Sequence, residues 1–203
     1  MKIICVGRNY PEHIKELGSP RPESPVLFIK PDTASVQKTH PFFRPDFSQL
    51  IQHEVEVLVK IDRIGKHIQA NFAHKYYKQI GLGIDFTARD LQQILKKSGL
   101  PWEKAKGFDG SAVIGDWFDK SIFEDINKLD FQLKKNGVIV QRGNTAQMIW
   151  KIDELIAEIS KFFTLKIGDI IFTGTPAGIG SISEDDLLEG YLMGKKAFSV
   201  KIK

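Results

Sequence analysis

The sequence predicts an α+β fold on three observations. Several short runs alternate apolar and other residues at strand period, an Asn-Gly pair sits between two such runs, and the few helical patterns do not alternate regularly with the strands. The chain opens with Ile3, Ile4, Cys5 and Val6, an apolar stretch too short for a signal peptide that reads as a first strand. Pro11 suits the first turn of a helix that places His13 and Glu16 on one side at i, i+3. Residues 18–25 hold three prolines and read as a mobile surface loop rather than a domain boundary, because the stretch before them is too short for a separate core. In residues 51–61, Val55, Val57, Val59 and Ile61 alternate with other residues, so Glu54 and Glu56 project together from the opposite strand face. Residues 80–84 read as a short apolar strand whose glycines leave room for close backbone approach, and Thr87 with Asp90 reads as a capping box opening the next helix. Strand runs on either side of Asn136-Gly137 predict a β-hairpin over 131–140. Ile149, Ile152, Leu155, Ile156, Ile159, Phe162 and Phe163 recur at helical period. Gly168-Asp169 then turns into a strand at 170–172, and an alternating strand around 197–202 closes the chain.

At 203 residues and 42% apolar content the chain can bury a sizeable core, and residues 1–203 read as one domain. No run of 18 apolar residues offers a membrane span. Cys5, the single cysteine, excludes an intrachain disulfide and sits among apolar neighbours, which points to a buried inert thiol and a cytoplasmic location. Lysine and arginine number 29 against 25 acids, a net +4, and the lysines are interleaved with acids rather than gathered into an aromatic-lined basic stripe, so no nucleic-acid partner is expected. Residues 174–180 lack the Lys-Ser/Thr ending of a P-loop, and Gly81-Leu82-Gly83 lacks the third glycine of a dinucleotide fingerprint.

The chemistry concentrates in three separated stretches. Two glutamates on one strand face are ordinarily a solvated pair; Asp85, at the end of one strand and before the start of a helix, changes that reading. Carboxylates held close together require protons, cationic side chains or a metal, and hard oxygen ligands suit Mg²⁺, Mn²⁺ or Ca²⁺ better than zinc. Helical spacing brings Arg89 and Gln92 together near Asp85, where they can supply a cation and an amide to a bound anion; read alone, Arg89 weighs equally as an ordinary helix-surface ion pair. The carboxylate of Glu16 can orient His13 and raise its basicity for proton transfer, although such a pair read alone is more often a surface ion pair. His40, His67 and His74 read as solvated, and His53, facing away from Glu54, as packed rather than a ligand. For Thr175, in the turn Gly174-Thr175-Pro176-Ala177-Gly178, a structural role and a substrate contact weigh equally.

Gly7-Arg8-Asn9-Tyr10 followed by His13 and Glu16, the segment from Pro25 to Pro31, His53-Glu54-Val55-Glu56, Asp85 with Thr87-Ala88-Arg89-Asp90-Leu91-Gln92, Pro101-Trp102 with Lys106-Gly107-Phe108-Asp109, and the segment from Gly168 to Gly178 stand in one order along the chain. Together they resemble the catalytic domain of the fumarylacetoacetate hydrolase family from about residue 4 to about residue 200. The resemblance sharpens the fold to a mixed, largely antiparallel rolled sheet with short peripheral helices. It also implies a lid over about residues 10–25 and a homodimer, for which Phe42, Phe43 and Phe47 are candidate interface residues, core packing explaining them equally well.

What the resemblance implies for function is a Mg²⁺- or Mn²⁺-dependent enzyme, Ca²⁺ being the third option, acting on a small 2-oxo acid. Glu54, Glu56 and Asp85 would hold the metal. His13, Glu16 and Lys106, the last placed in a loop, would carry the catalysis, and Arg8, Asn9, Arg89, Gln92 and Thr175 would contact substrate. The first expectation is hydrolytic cleavage of a carbon–carbon bond in an acylpyruvate or a similar β-diketo acid by way of an enolate. Oxaloacetate decarboxylation and tautomerisation of an unsaturated hydroxy-dioate pass through the same kind of enolate and stand as alternatives. So does an inactive metal-binding relative, against which His13, Glu16 and Lys106 speak.

Overall fold

The computed structural model describes residues 1–36 and 40–203. In chain order its regular elements are β1 (Ile3–Gly7), α1 (Pro11–Glu16), β2 (Val26–Lys30), β3 (Ser35–Val36), β4 (Ile51–His53), β5 (Val55–Ile61), α2 (Ala70–Ala73), β6 (Tyr77–Asp85), β7 (Thr87–Ala88), α3 (Arg89–Lys97), α4 (Glu103–Lys106), β8 (Ala112–Asp119), β9 (Asp130–Lys135), β10 (Val138–Asn144), α5 (Ile152–Phe162), β11 (Ile170–Phe172), β12 (Gly180–Ser181), β13 (Leu187–Leu192) and β14 (Lys195–Lys201). Seven strands form the main sheet in the order β2-β1-β11-β5-β6-β8-β3; β10-β9-β13-β14 make a second sheet and β12-β4-β7 a small third one. Two pairings, β1 with β11 and β3 with β8, are parallel and the others antiparallel, as the rolled, mostly antiparallel expectation requires. The main sheet curls, and β13 and β14 pack against β6 and β8.

β5 shows why the sheet can carry charge inside. Val55, Val57 and Val59 pack on one side into the core that also takes Ile152, Leu155, Ile156 and Ile159 of α5. On the other side Leu58 joins Ile3, Cys5 and Phe172 in a second core. Both faces are therefore covered, and Glu54 and Glu56, on the Leu58 side, are buried where a simple alternation of inside and outside would leave them wet. The four apolar side chains of α5 each contribute about 1.5–3 kcal/mol by leaving water.

The Asn136-Gly137 hairpin is borne out: both residues take positive φ, at 52° and 82°, and Lys135 pairs with Val138 across the turn. The Asn136 amide adds hydrogen bonds to Asp186 and Leu187. Other expectations are corrected. Residues 51–61 are two strands interrupted at Glu54, β4 belonging to the small sheet. Thr87 with Asp90 forms no capping box: Thr87 lies in β7, no side chain caps α3, and Asp90 instead accepts from the Ser48 hydroxyl and the Gln49 N–H. Lys106 closes the short helix α4 instead of lying in a loop. Of the two readings open for Phe42, Phe43 and Phe47, Phe42 takes the core one, stacked on Phe86 at 4.0 Å, while Phe43 and Phe47 are exposed.

Candidate active site

The sheet register brings the three acids together. Val55 pairs with Ile84 across β5 and β6, and the Asp85 N–H donates to the Glu54 carbonyl at 2.8 Å, so Glu54 and Asp85 are cross-strand neighbours with Glu56 two residues on. Opposite Glu56 stands Gly83, where a Cβ would lie 2.2 Å from the Val113 carbonyl oxygen; the close approach read from that glycine is what lets β8 pack beside β6. One oxygen each from Glu54, Glu56 and Asp85 lies within 4.8 Å of the others, and all three residues are buried.

Cations surround this cluster. Lys106 Nζ donates to Glu54 Oε2 and Asp85 Oδ2, both at 2.8 Å, and to Thr87 Oγ1 at 2.6 Å. Arg89, at the start of α3, pairs with Glu54 Oε1 and donates to Gln92 Oε1 at 2.5 Å and to Gln52 Oε1 at 2.6 Å. Lys30, fully buried at the end of β2, lies 2.8 Å from Asp85 Oδ1 and donates to Ser111 Oγ at 2.9 Å and to the Lys106 carbonyl. The close approach of Lys30 lacks hydrogen-bond geometry, and Asp85 Oδ1 is left buried without a hydrogen-bond donor.

The two glutamates respond in opposite directions. Burial works against ionisation of Glu54, but the Lys106 and Arg89 charges outweigh it and hold its carboxyl well below the usual range. Burial, then the facing Asp85 and Glu54 charges, push Glu56 well above that range, against the one hydrogen bond it receives, from the Gly174 N–H at 2.7 Å. Lys106 stays an ammonium, because the Asp85 and Glu54 charges overcome the opposing effect of burial.

Facing the carboxylates is α1. His13 is buried, with Nδ1 3.0 Å from Glu16 Oε2, which leaves Nε2 as the ring nitrogen not engaged by the pair. Glu16 Oε1 in turn accepts from the Gly178 N–H at 3.0 Å, closing the 11–16 helix onto the 174–178 turn. Gly174 and Gly178 have φ of 98° and 97°, and a Cβ on them would stand 2.8 Å from Asn9 Cβ and 2.6 Å from the Val140 oxygen respectively. Between α1 and the carboxylates is a cavity of about 40 Å³, room for roughly three waters. Its lining includes Arg8, His13, Glu54, Glu56, Asp85, Arg89, Gln92, Lys106 and Thr175, so ten of the eleven expected site residues line it or, for Glu16, bond directly to a residue that does.

Asn9 is the exception. Its amide donates to the Trp150 and Thr173 carbonyls and accepts from the Trp150 N–H, which fixes the chain before α1 rather than facing the cavity. Thr175 lines the cavity but spends its hydroxyl on the Val55 carbonyl and on Gln141. Gln141 also receives the Val55 N–H and meets His53 Nδ1 at 3.0 Å; burial lowers the His53 pKa against that hydrogen bond, so the packed, non-ligand reading of His53 fits. Sequence reasoning missed Lys30 and Gln141 as parts of the site. A lysine directly after the apolar run 26–29 was the available signal for the first; nothing in the pattern marked the second. His40, His67 and His74 are exposed, and Cys5 is buried with its thiol pKa raised first by burial.

The donor set fits a hard divalent cation: three carboxylates converge in a buried recess, and one buried acid oxygen has no donor of its own. A curled mixed sheet that gathers three buried acids under a histidine-bearing helix defines a class of enzyme acting on small molecules in an enclosed cavity. The sequence model of the fumarylacetoacetate hydrolase C-terminal region matches residues 2–199. The chain is 44% identical to an oxaloacetate tautomerase of Escherichia coli (strain K12), over 92% of this chain and 86% of the relative, and 40% identical to the mitochondrial oxaloacetate tautomerase of Mus musculus, over 99% and 91%. Among solved structures, fumarylpyruvate hydrolase from Pseudomonas aeruginosa in complex with Mn²⁺ and pyruvate superposes with a TM-score of 0.94 at 33% identity, covering 100% of this chain and 89% of that one. The chain belongs to the fumarylacetoacetate hydrolase family, and it is an enzyme of that family. The inactive binding-module alternative is set aside accordingly.

Proposed function

We propose that this enzyme interconverts the keto and enol forms of oxaloacetate or a closely similar small 2-oxo acid. The observation that carries this reading is the opposition, across one small cavity, of a buried carboxylate cluster and the His13–Glu16 pair. The named activity of the relatives at 40–44% identity supports it over carbon–carbon hydrolysis, the first expectation from sequence. Glu54, Glu56 and Asp85 would hold Mg²⁺ or Mn²⁺, which would supply Lewis-acid stabilisation of the negative charge that enolisation develops. His13 takes the proton from C3 through Nε2, while Glu16 fixes its tautomer and stabilises the imidazolium. Arg89 and Lys106 bind and orient the charged end of the substrate, Gln92 positions it, and α1 excludes bulk water. Return of a proton to the 2-oxo oxygen completes the enol.

A second reading, hydrolysis of an acylpyruvate, is favoured by the likeness to fumarylpyruvate hydrolase, since the same His13–Glu16 pair can activate water. The test is to follow enol-oxaloacetate by its ultraviolet absorbance, and acylpyruvate cleavage in parallel, with Mg²⁺ and after chelation. Metal-dependent acceleration of the enol-to-keto conversion that is lost in His13→Ala supports tautomerisation. Cleavage with no effect on tautomerisation would replace it with the hydrolase.

In the same reading the chain works as one catalytic unit over residues 1–203, in the cytoplasm and as a homodimer. No helix among the described residues is long and apolar enough to cross a membrane. The dimer is supported by the open edge strand β10 and the exposed Phe43 and Phe47, surfaces that a two-fold partner would cover. Sedimentation equilibrium reporting one 23.0 kDa chain would remove it.

A further inference from the structure

We propose that Lys96 and Arg8 form a second anion subsite at the mouth of the cavity, which takes the distal carboxylate of a four-carbon 2-oxo dicarboxylate and makes the enzyme selective for such substrates over 2-oxo monocarboxylates. The inference rests on the enolising site proposed above and names the part of it that reads the far end of the substrate.

Three observations lead there. The first is the face that α3 presents. Arg89, Gln92 and Lys96 stand at i, i+3 and i+7, one helical stripe, and all three line the cavity. At 1.5 Å per residue the stripe runs about 10 Å along the axis, from the carboxylate cluster outward. Helical side chains lean toward the N-terminus, so Lys96 leans back along the stripe rather than away from it. A helix C-terminus favours any cation, but Lys97 occupies that turn equally well; of the two, Lys96 lines the cavity.

The second is Arg8. It follows β1 with φ of 60°, a left-handed conformation in which a non-glycine residue is strained, and it lines the same cavity. The fold thus holds a strained backbone at the point that delivers a guanidinium to the mouth.

The third is charge balance. The inner cations are engaged: Lys106 and Arg89 by Glu54 and Asp85, and Lys30 by Asp85. Among the described residues neither Arg8 nor Lys96 has an ion pair or a hydrogen bond from its side chain. They are close enough to act on each other: the Lys96 pKa is lowered first by burial and then by the charges of Arg8 and Arg89. Two adjacent cations without an acid, at the rim of a cavity whose inner end receives the first carboxylate, are complementary to a second one. Phe28, Leu17 and Trp102 supply the apolar wall along which the carbon chain lies.

The test uses stable ligands matched in length, malate and 2-hydroxybutyrate, which differ only in the distal carboxylate, with oxalate as a ligand that has no distal group. Calorimetric titration of the full chain with Mg²⁺ should show malate binding about tenfold tighter than 2-hydroxybutyrate, the scale of one charge-assisted contact. Lys96→Gln should remove most of that preference and leave oxalate affinity unchanged, Lys96→Arg should retain it, and Lys96→Glu should invert it. Lys96 is exposed at the rim, and these variants keep the core intact. Equal affinity of the wild type for the matched pair, or a preference that survives in the Arg8→Gln, Lys96→Gln double variant, would overturn the subsite. Loss of Mg²⁺-dependent oxalate binding in the wild type would instead count against the metal-centred reading, with the malate preference still reporting on the rim.

Discussion

The two walls of the cavity are built on different terms. The sheet wall gathers three buried acids through the register of β5 with β6 and three buried cations from β2, α3 and α4; Glu54 and Asp85 are tied into ion pairs, and Glu56 accepts from the Gly174 N–H. The other wall is a six-residue helix whose partly exposed Glu16 accepts a hydrogen bond from the Gly178 N–H of the 174–178 turn. The difference teaches where rigidity is placed: the acids that face one another's charge are locked inside the sheet, whereas on the proposed reading the proton-transfer group, His13, rides on a short helix tied to the turn through Glu16.

The contrast breaks most sharply at the acids. Asp85→Ala should lower turnover about a thousandfold or more, the scale of losing a main electrostatic stabiliser, and should abolish the rise in melting temperature on adding Mg²⁺ or Mn²⁺. Full activity in demonstrably metal-free enzyme would contradict the assignment. Next is Lys30→Met, which leaves Asp85 buried without its nearest dedicated cation and should destabilise the fold by about 3–5 kcal/mol, read by chemical denaturation. A neutral result would show that Lys106 alone balances Asp85.

His13→Ala tests the other wall and should behave oppositely. Turnover should fall about a hundredfold while stability and oxalate affinity stay near those of the wild type. Matching losses in oxalate binding would move His13 from proton transfer to ligand contact. Hydrogen exchange should also slow in residues 11–25 when oxalate is added, and far less in β5.

The smallest effect lies behind the sheet wall. Burial opposes ionisation of Asp169, but hydrogen bonds from the Lys2 side chain and from the Lys2 and Lys166 N–H groups outweigh it and hold its carboxyl below the usual range. Folding therefore favours the ionised form; the contribution is complete above the unfolded aspartate pKa of about 3.9 and is lost as pH falls through the folded value. Asp169→Asn should cost about 1 kcal/mol at pH 7 and flatten the acid limb of the stability curve, with turnover unchanged. A steeper acid limb would reverse the sign of this argument.

Local periodicity made much of this legible. Glu54, Glu56 and Asp85 were readable because strand alternation and strand ends are local properties, and His13 with Glu16 because helical spacing is too. What the pattern hid was decided by partners far along the chain. Thr87 was misread as a cap because nothing nearby shows that its hydroxyl meets Lys106. Lys30 reads as a strand-end lysine until Asp85 and Ser111, from two other elements, close around it. The strands β8 and β13 escaped notice because their half-buried, bulged sequences lack clean alternation. The left-handed conformation of Arg8 has no sequence signature, since it is imposed by the chain on either side.

The turn from Gly174 to Gly178 touches both walls at once, one amide on the Glu56 carboxylate and another on that of Glu16. It is a gauge block: four peptide units fix the spacing between the two halves of the chemistry. Neither end admits a side chain without a collision, and an inserted residue would put the two amides out of step. A change in this segment would therefore disturb both walls together, whereas Lys96, exposed at the rim, can be exchanged without disturbing either.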